Sequence, residues 1–220
     1  MCGRFTFQPT EEFYRRFHIT NRLDGLVARY NIAPSQLVPV IISQGANQVV
    51  LMRWGLIPHW AKEEKTAYKM INARMETLTQ RPAFRSLLRA NRCMIPATGY
   101  YEWKAEARGK TPYYIHATSH ACFAFAGLYD VWTNPDGEDV HTFTIITKDS
   151  DGVVAQLHNR MPVILDRDLE DAWLDKEITS ANHVLDLLER SAGVTLDAYP
   201  VSHLVNKPTM DSKDLTQRLA

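Results

Sequence analysis

With 220 residues, 45% of them hydrophobic and 23% charged, the chain has the composition of a globular protein with room for one sizeable core. Formal net charge is zero, which excludes a global basic field for nucleic acid, so any polyanion site has to be local. No apolar run approaches the ~20 residues that span a bilayer, and no secretory leader is expected.

Thr10 followed by Glu11 and Glu12 predicts an N-cap and a short helix through Phe17. Pro34 drives Ala33 out of helical geometry, so Asn31-Ile32-Ala33-Pro34 is expected to be a loop. Leu37 to Ile42 and Gln48 to Trp54 read as paired strands about a Gly45-Ala46-Asn47 turn. An aromatic loop punctuated by Pro and Gly follows from Trp54 to Trp60, then a charged stretch from Lys62 to Lys65. Pro82 opens a helix running to about Asn91, with Phe84, Leu87 and Leu88 on one face. Met94 to Trp103 reads as one strand. Tyr113 to His116, Cys122 to Tyr129 and Val140 to Thr147 continue the β pattern, with Asn134-Pro135-Asp136-Gly137 as a turn between the last two. A short helix over Asp149 to Leu157 and a strand over Met161 to Leu165 come next. Helices over Asp168 to Leu174 and Ala181 to Arg190 and a strand over Thr195 to Val201 complete the pattern. Strands dominate the middle in hairpin-like order. This predicts an α+β fold, a single domain over residues 1–220 with a largely antiparallel, barrel-like sheet and flanking helices. The polar tail, 206–220, is expected to be loosely held.

Three widely spaced cysteines (Cys2, Cys93 and Cys122) form neither a disulfide framework nor a zinc pattern, and they suit a reducing cytosol. Cys2 stands apart by position. With Met1 clipped, as is usual before a small residue, Cys2 carries a free α-amine and a thiol around one carbon. An amine with a pKa of ~8 and a thiol of ~8.5 both have a reactive fraction near neutrality. Such a 1,2-aminothiol traps an aldehyde twice: the amine gives a Schiff base, and the thiolate then adds to it and closes a thiazolidine. The same residue also suits an N-terminal nucleophile that attacks an amide with its own amine as base.

Three further stretches set chemistry-capable side chains among apolar ones: Ile71 to Thr77, Gly99 to Trp103 and His158 to Pro162. Glu102, between two large aromatics, is either a desolvated carboxylate suited to proton transfer or a solvent-facing residue on an edge strand. His158 is either a general acid or base or a structural histidine. Asn72 can orient an amine or a carbonyl, or cap a helix. Arg4, Arg74 and Arg160 each lie two residues beyond Cys2, Asn72 and His158, as a local phosphate clamp or as ordinary ion-pairing arginines. Pro34, Trp54 and Trp60 can stack on bases or plug a core.

Together and in this order, these stretches resemble the SRAP family, the SOS response-associated peptidases that process abasic sites in single-stranded DNA. The resemblance runs from Cys2-Gly3-Arg4-Phe5 through Asn72-Ala73-Arg74-x-Glu76-Thr77 and Tyr101-Glu102-Trp103 to His158-x-Arg160-Met161-Pro162. Tyr30 to Pro34, Trp54 to Pro58, Val201-Ser202 and Val205-Asn206 are similar too, so it covers nearly the whole chain. The resemblance implies covalent capture, in which Cys2 closes a thiazolidine on the C1′ aldehyde of a ring-opened abasic sugar. Glu102 would move the protons, His158 would assist ring opening and reversal, and Asn72 would hold Cys2. Arg4, Arg74 and Arg160 would grip phosphates, and Pro34 and Trp60 would stack at the lesion. It implies no metal and no organic cofactor. The expected partner is single-stranded DNA with abasic sites, with no membrane involved. The expected state is a cytoplasmic monomer that becomes nucleoid-associated on DNA. The family name also implies a peptidase activity, with removal of the residue before Cys2 left either to a host aminopeptidase or to the Cys2 thiol itself. Two other readings stay open. One is an N-terminal-nucleophile cysteine amidohydrolase or peptidase, which needs Cys2 but no arginine clamp. The other is a non-covalent single-stranded-DNA-binding module, which gives no role to Cys2, Glu102 or His158.

Overall fold

The run Val38-Pro39-Val40-Ile41-Ile42 has no polar face, and all of it is buried, as befits a strand covered on both sides. It belongs to a computed structural model that describes residues 2–107, 109–119, 121–191 and 194–219. In chain order the first elements are β1 (Phe5–Phe7), α1 (Glu11–Arg16), β2 (Arg29–Ile32), β3 (Leu37–Ser43), β4 (Asn47–Trp54) and β5 (Asn72–Arg74). Next come α2 (Pro82–Arg85), α3 (Leu87–Ala90), β6 (Arg92–Ala97), β7 (Gly99–Glu106), β8 (Gly109–Ala117) and β9 (Phe123–Thr133). The chain ends with β10 (Asp139–Asp149), β11 (Arg160–Pro162), α4 (Arg167–Leu174), α5 (Ala181–Arg190) and β12 (Leu196–Pro200). Among the described residues no helix is long and apolar enough to cross a membrane.

β10 organises the larger sheet. Thr142 pairs with Asp130 of β9 on one edge and with Arg53 of β4 on the other. With β3 joining β4 to β6, and β6 joining β9, strands β4, β3, β6, β9 and β10 close into a five-stranded barrel. Further along, β5 takes over the β4 edge of β10, pairing Asn72 with Ile145 and Arg74 with Thr147. On the opposite edge β11 takes over from β9, pairing Arg160 with Asp149. One end of β10 therefore gathers β5 and β11 side by side. The second sheet, in the order β12-β8-β7-β1-β2, is antiparallel throughout. The α+β class and the barrel-like, largely antiparallel sheet match the sequence expectation, and only the β4 and β5 pairings with β10 are parallel.

Several local expectations are corrected. The single strand expected over Met94 to Trp103 is two strands, β6 in the barrel and β7 in the second sheet, with the break at Thr98. Glycine is required just after the break, since a Cβ on Gly99 would lie 2.3 Å from the Tyr114 ring. That ring is held there by its hydroxyl, 3.0 Å from Thr6 Oγ1 and 3.3 Å from the Thr98 carbonyl. The helix expected from Pro82 to Asn91 is two four-residue pieces, α2 and α3, meeting at Ser86. The helix expected over Asp149 to Leu157 shrinks to one 3₁₀ turn, Val154–Gln156, because Asp149 is still in β10. Asn31 and Ile32 are in β2 rather than in a loop.

The tail is tied down, not loose. Buried Asn31 donates through Nδ2 to the carbonyls of Val205, Lys207 and Met210. Asp211 accepts the Tyr30 N–H and pairs with Arg29. Leu215 is buried in a cluster with Tyr101, Tyr114, Val201 and Val205. Polar composition misled here, because the tail spends its carbonyls and one leucine on the second sheet.

Candidate active site

Strand pairing brings the chain start to the middle of β7. Phe5 pairs with Tyr100, and the Tyr101 N–H donates to the Arg4 carbonyl at 3.0 Å. Beyond that bond Cys2 and Gly3 run on past β1, which brings the Cys2 thiol within the field of Glu102. Alternation then sorts β7 into two faces. Tyr101 points to the tail cluster and donates its hydroxyl to the Tyr30 carbonyl at 2.8 Å. Tyr100 lies in the main core together with Cys2. Glu102 shares that face and is 2% exposed, so it is not the solvent-facing edge residue that the sequence left open.

The β5 segment reaches the same place from the barrel. Asn72, fixed by its pairing with Ile145, donates through Nδ2 to the Cys2 carbonyl at 2.8 Å. Its Oδ1 is buried and has no hydrogen-bond partner among the described residues. His158 arrives just before β11. The Arg160 backbone holds His158 Nδ1, with its N–H at 2.9 Å and its carbonyl at 3.2 Å, and with Nδ1–H donating to that carbonyl, Nε2 is the basic nitrogen. The structure thus gathers Cys2, Asn72, Glu102 and His158, drawn from four separate segments, around the end of β10. Met1, whose removal the chemistry of Cys2 requires, lies outside the described residues.

Electrostatics couples the four. Burial pushes the Glu102 carboxyl above the usual carboxylate range, and the nearby His158 opposes the shift. Cys2 is fully buried; this burial, and then the charge of Glu102, push its thiol far above the usual range. Burial and Glu102 therefore lower the thiolate fraction that the sequence leads one to expect at neutral pH. A thiol in this setting attacks only as a base takes its proton, and Glu102 is the carboxylate beside it. Among the described residues no group of three or more His, Cys, Asp or Glu side chains is placed to hold a metal ion.

The arginines divide. Arg160 is buried, with Nη1 donating to Glu76 at 2.7 Å and to Asp149 at 2.6 Å. Its Nη2 donates to Glu76 at 3.0 Å and to the Thr147 carbonyl at 2.7 Å, which clamps β11 to β10 just beyond His158. Arg4 donates from Nη1 to Asn31 Oδ1 and to the Val205 carbonyl, both at 2.8 Å, and so anchors the tail. Arg74 is exposed on the rim beside Glu76.

Of the three stacking candidates, Trp54 is buried in the core, and Pro34 lies closer to the site than Trp60. It lines a small hollow with Trp54, Tyr68 and Ile71, next to Asn72. Trp60 is 57% exposed, on a loop pinned elsewhere. That loop is held by Ile57 N–H on Thr142 Oγ1, His59 N–H on Asp130 Oδ2 and Trp132 Nε1–H on the Ala61 carbonyl. Thr142 is three residues, about 10 Å, along β10 from the pairing position of Asn72. The sequence reading missed Tyr68, which is 72% exposed on the 3₁₀ turn Glu64–Lys69 and shares the hollow with Pro34. The available signal was an aromatic flanked by Lys65 and Lys69. The pairing of Arg160 with Asp149 and with Glu76, the latter quoted only as part of its motif, was not foreseen either.

The chain is 44% identical over 222 residues to the abasic site processing protein YoqW of Bacillus subtilis (strain 168), covering 99% of both chains. It is 31% identical over 218 residues to the abasic site processing protein HMCES of Gallus gallus, covering 84% of this chain and 64% of that one. A crystal structure of a protein from Bacteroides thetaiotaomicron superposes with a TM-score of 0.87 at 29% identity, covering 100% of both chains. The family described as SOS response associated peptidase (SRAP) matches residues 1–208, a span that holds Cys2, Asn72, Glu102 and His158, and the chain belongs to that family.

Proposed function

We propose that this protein processes abasic sites in DNA by covalent capture of the ring-opened sugar on Cys2. The observation that carries this is the clamp on Cys2: Asn72 holds its carbonyl at 2.8 Å beside a buried Glu102. A residue fixed at its backbone, next to a desolvated proton carrier, is a positioned nucleophile. The abasic site processing names of the relatives supply the substrate.

Removal of Met1 puts the α-amine on Cys2. His158 takes the proton of the C1′ hydroxyl as the sugar ring opens and returns it to the ring oxygen, which leaves C1′ as the C4′ hydroxyl. The Cys2 amine adds to the C1′ aldehyde, Glu102 relays a proton from nitrogen to oxygen, and water departs to leave an imine. The thiol then adds to that imine, with Glu102 taking the Sγ proton and delivering it to nitrogen, and the thiazolidine closes. Asn72 Oδ1, buried and unpartnered among the described residues, is the acceptor for an amine N–H.

The phosphate-contacting role falls on Arg74, with Pro34 and Tyr68 as surfaces for a flanking base and Trp60 further along the strand. Arg4 and Arg160 act on DNA through the frame they hold. Arg74→Ala is expected to reduce the slope of log affinity against log salt by about 0.7, the contribution of one phosphate contact on a single strand. Arg160→Ala is expected to leave that slope unchanged and to cost about 2 kcal/mol of stability in urea unfolding, as charge-assisted bonds are lost. The partners of Arg160 are partly exposed and rehydrate, which limits the cost.

The test of the function is incubation with single-stranded DNA carrying one abasic site, followed by a denaturing gel and intact mass. The expected product is heat-stable and weighs the protein without Met1 plus the DNA minus one water. A folded protein that binds this DNA at neutral pH without forming an adduct would be a non-covalent binding module instead.

A further inference from the structure

Three tyrosines of the second sheet find partners for their hydroxyls. Tyr101 donates to the Tyr30 carbonyl, Tyr114 bonds Thr6 and Thr98, and Tyr199 donates to the Thr216 carbonyl. Tyr100 differs from them. It is 0% exposed, and its hydroxyl has no hydrogen-bond partner among the described residues. A buried phenol ordinarily secures a partner, and one left without calls for an explanation.

Its position supplies one. Tyr100 precedes Glu102 by two residues on β7, so the two side chains leave the same face of the strand. It packs in the core that holds Cys2, with its ring edge-on to Phe125 at 5.8 Å between centroids. Burial, with the charges of Cys2 and Glu102 adding to it, pushes the phenol well above its usual range. The hydroxyl therefore stays protonated and can serve as a neutral donor. Asn72 Oδ1, likewise buried without a partner among the described residues, is an acceptor and suits the amine. The Tyr100 hydroxyl donates to no acceptor among the described residues, and the atom that arrives with the substrate is an oxygen.

We propose that the Tyr100 hydroxyl is a further catalytic group, donating a hydrogen bond to the oxygen of the aldehyde that Cys2 captures. The proposal rests on the covalent-capture function above. When the amine nitrogen bonds to C1′, the π pair of the carbonyl moves onto oxygen. Tyr100 stabilises that developing charge until a proton from Glu102 completes the carbinolamine. The proton released by nitrogen returns to Glu102, which then gives it to the hydroxyl that leaves as water. Tyr100 keeps its own proton throughout. A preorganised donor aimed at a developing oxyanion in a dry site is worth about 10²–10³ in rate in other acyl and carbonyl chemistry.

The test is Tyr100→Phe, which removes only the hydroxyl. Its thermal midpoint is expected to equal or exceed that of the parent, because a buried unpaired group is gone. Affinity for single-stranded DNA carrying a tetrahydrofuran in place of the abasic sugar is expected to be unchanged, since that analogue has no aldehyde. The single-turnover rate of adduct formation on true abasic DNA is expected to fall by about 10²-fold across the whole pH range. An unchanged rate would overturn the proposal. A slower rate confined to a displaced pH profile would also overturn it, because Tyr100 would then act by tuning Glu102. If the parent itself forms no adduct, covalent capture has failed, and that outcome is distinct from a parent and a variant that react equally fast.

Discussion

Cys2→Ser is expected to eliminate the heat-stable adduct while keeping one that borohydride can trap. Serine leaves the α-amine in place, so the Schiff base still forms on the abasic aldehyde. A hydroxyl adds to that imine far less readily than sulfur does, and an oxazolidine reopens in water. Gel analysis with and without borohydride therefore separates the two bond-forming steps. Cys2→Ala should behave in the same way and cost about 1 kcal/mol of stability, as a single buried heavy atom is lost. The contrast also tests the amide-hydrolase alternative, in which sulfur attacks first. On that route neither variant would be trapped by borohydride, because no imine would exist. A borohydride-stable adduct with Cys2→Ser, but a heat-stable one only with the parent, would assign nitrogen to the first bond and sulfur to the second.

The four central residues were legible in the sequence because each is a chemically capable type in a short, ordered motif. What text could not show is which neighbours claim them. Glu102 might equally have faced water on β7; only the register Phe5 to Tyr100 puts it inside. The arginine clamp looked uniform by spacing, yet Arg160 is neutralised by Glu76 and Asp149 and Arg4 is spent on Asn31 and Val205. A guanidinium takes whichever acceptors the fold brings, and these lie 84 and 201 residues away along the chain in the cases of Glu76 and Val205. The break at Thr98 was illegible for the same reason: the need for Gly99 comes from the Tyr114 ring on a neighbouring strand, not from its own sequence neighbours. Local signals did better where the physics is local. Thr10 caps α1 by accepting the Phe13 N–H, and α5 spans Ala181–Arg190 with Val184, Leu187 and Leu188 buried along one face.

Glu102→Gln should slow adduct formation by about 10²–10⁴, the usual contribution of a positioned acid–base group, without loss of fold. Glutamine keeps the shape of the side chain but neither gives up nor takes a proton at any working pH. The same substitution reports on burial through stability. Because the pKa of Glu102 is raised in the folded chain, the folded state holds this proton more tightly than the unfolded one, whose carboxyl titrates near ~4.3. Stability therefore falls as pH rises from ~4.3 through the folded pKa, and the penalty for an ionised buried carboxylate is complete above it. Glutamine never ionises and escapes that penalty. Urea unfolding should find the variant as stable as the parent near pH 4 and more stable at neutral pH, with the gap opening between the unfolded and folded pKa values. A gap that does not change with pH would mean that the carboxyl is compensated as fully inside the protein as in water. The desolvation that makes Glu102 a proton carrier would then be missing, and proton transfer at Cys2 would pass to His158. A variant that is slower at neutral pH yet more stable there would tie the two properties together: the burial that destabilises the ionised carboxylate in the resting protein is what readies it to exchange protons with the Cys2 amine and thiol.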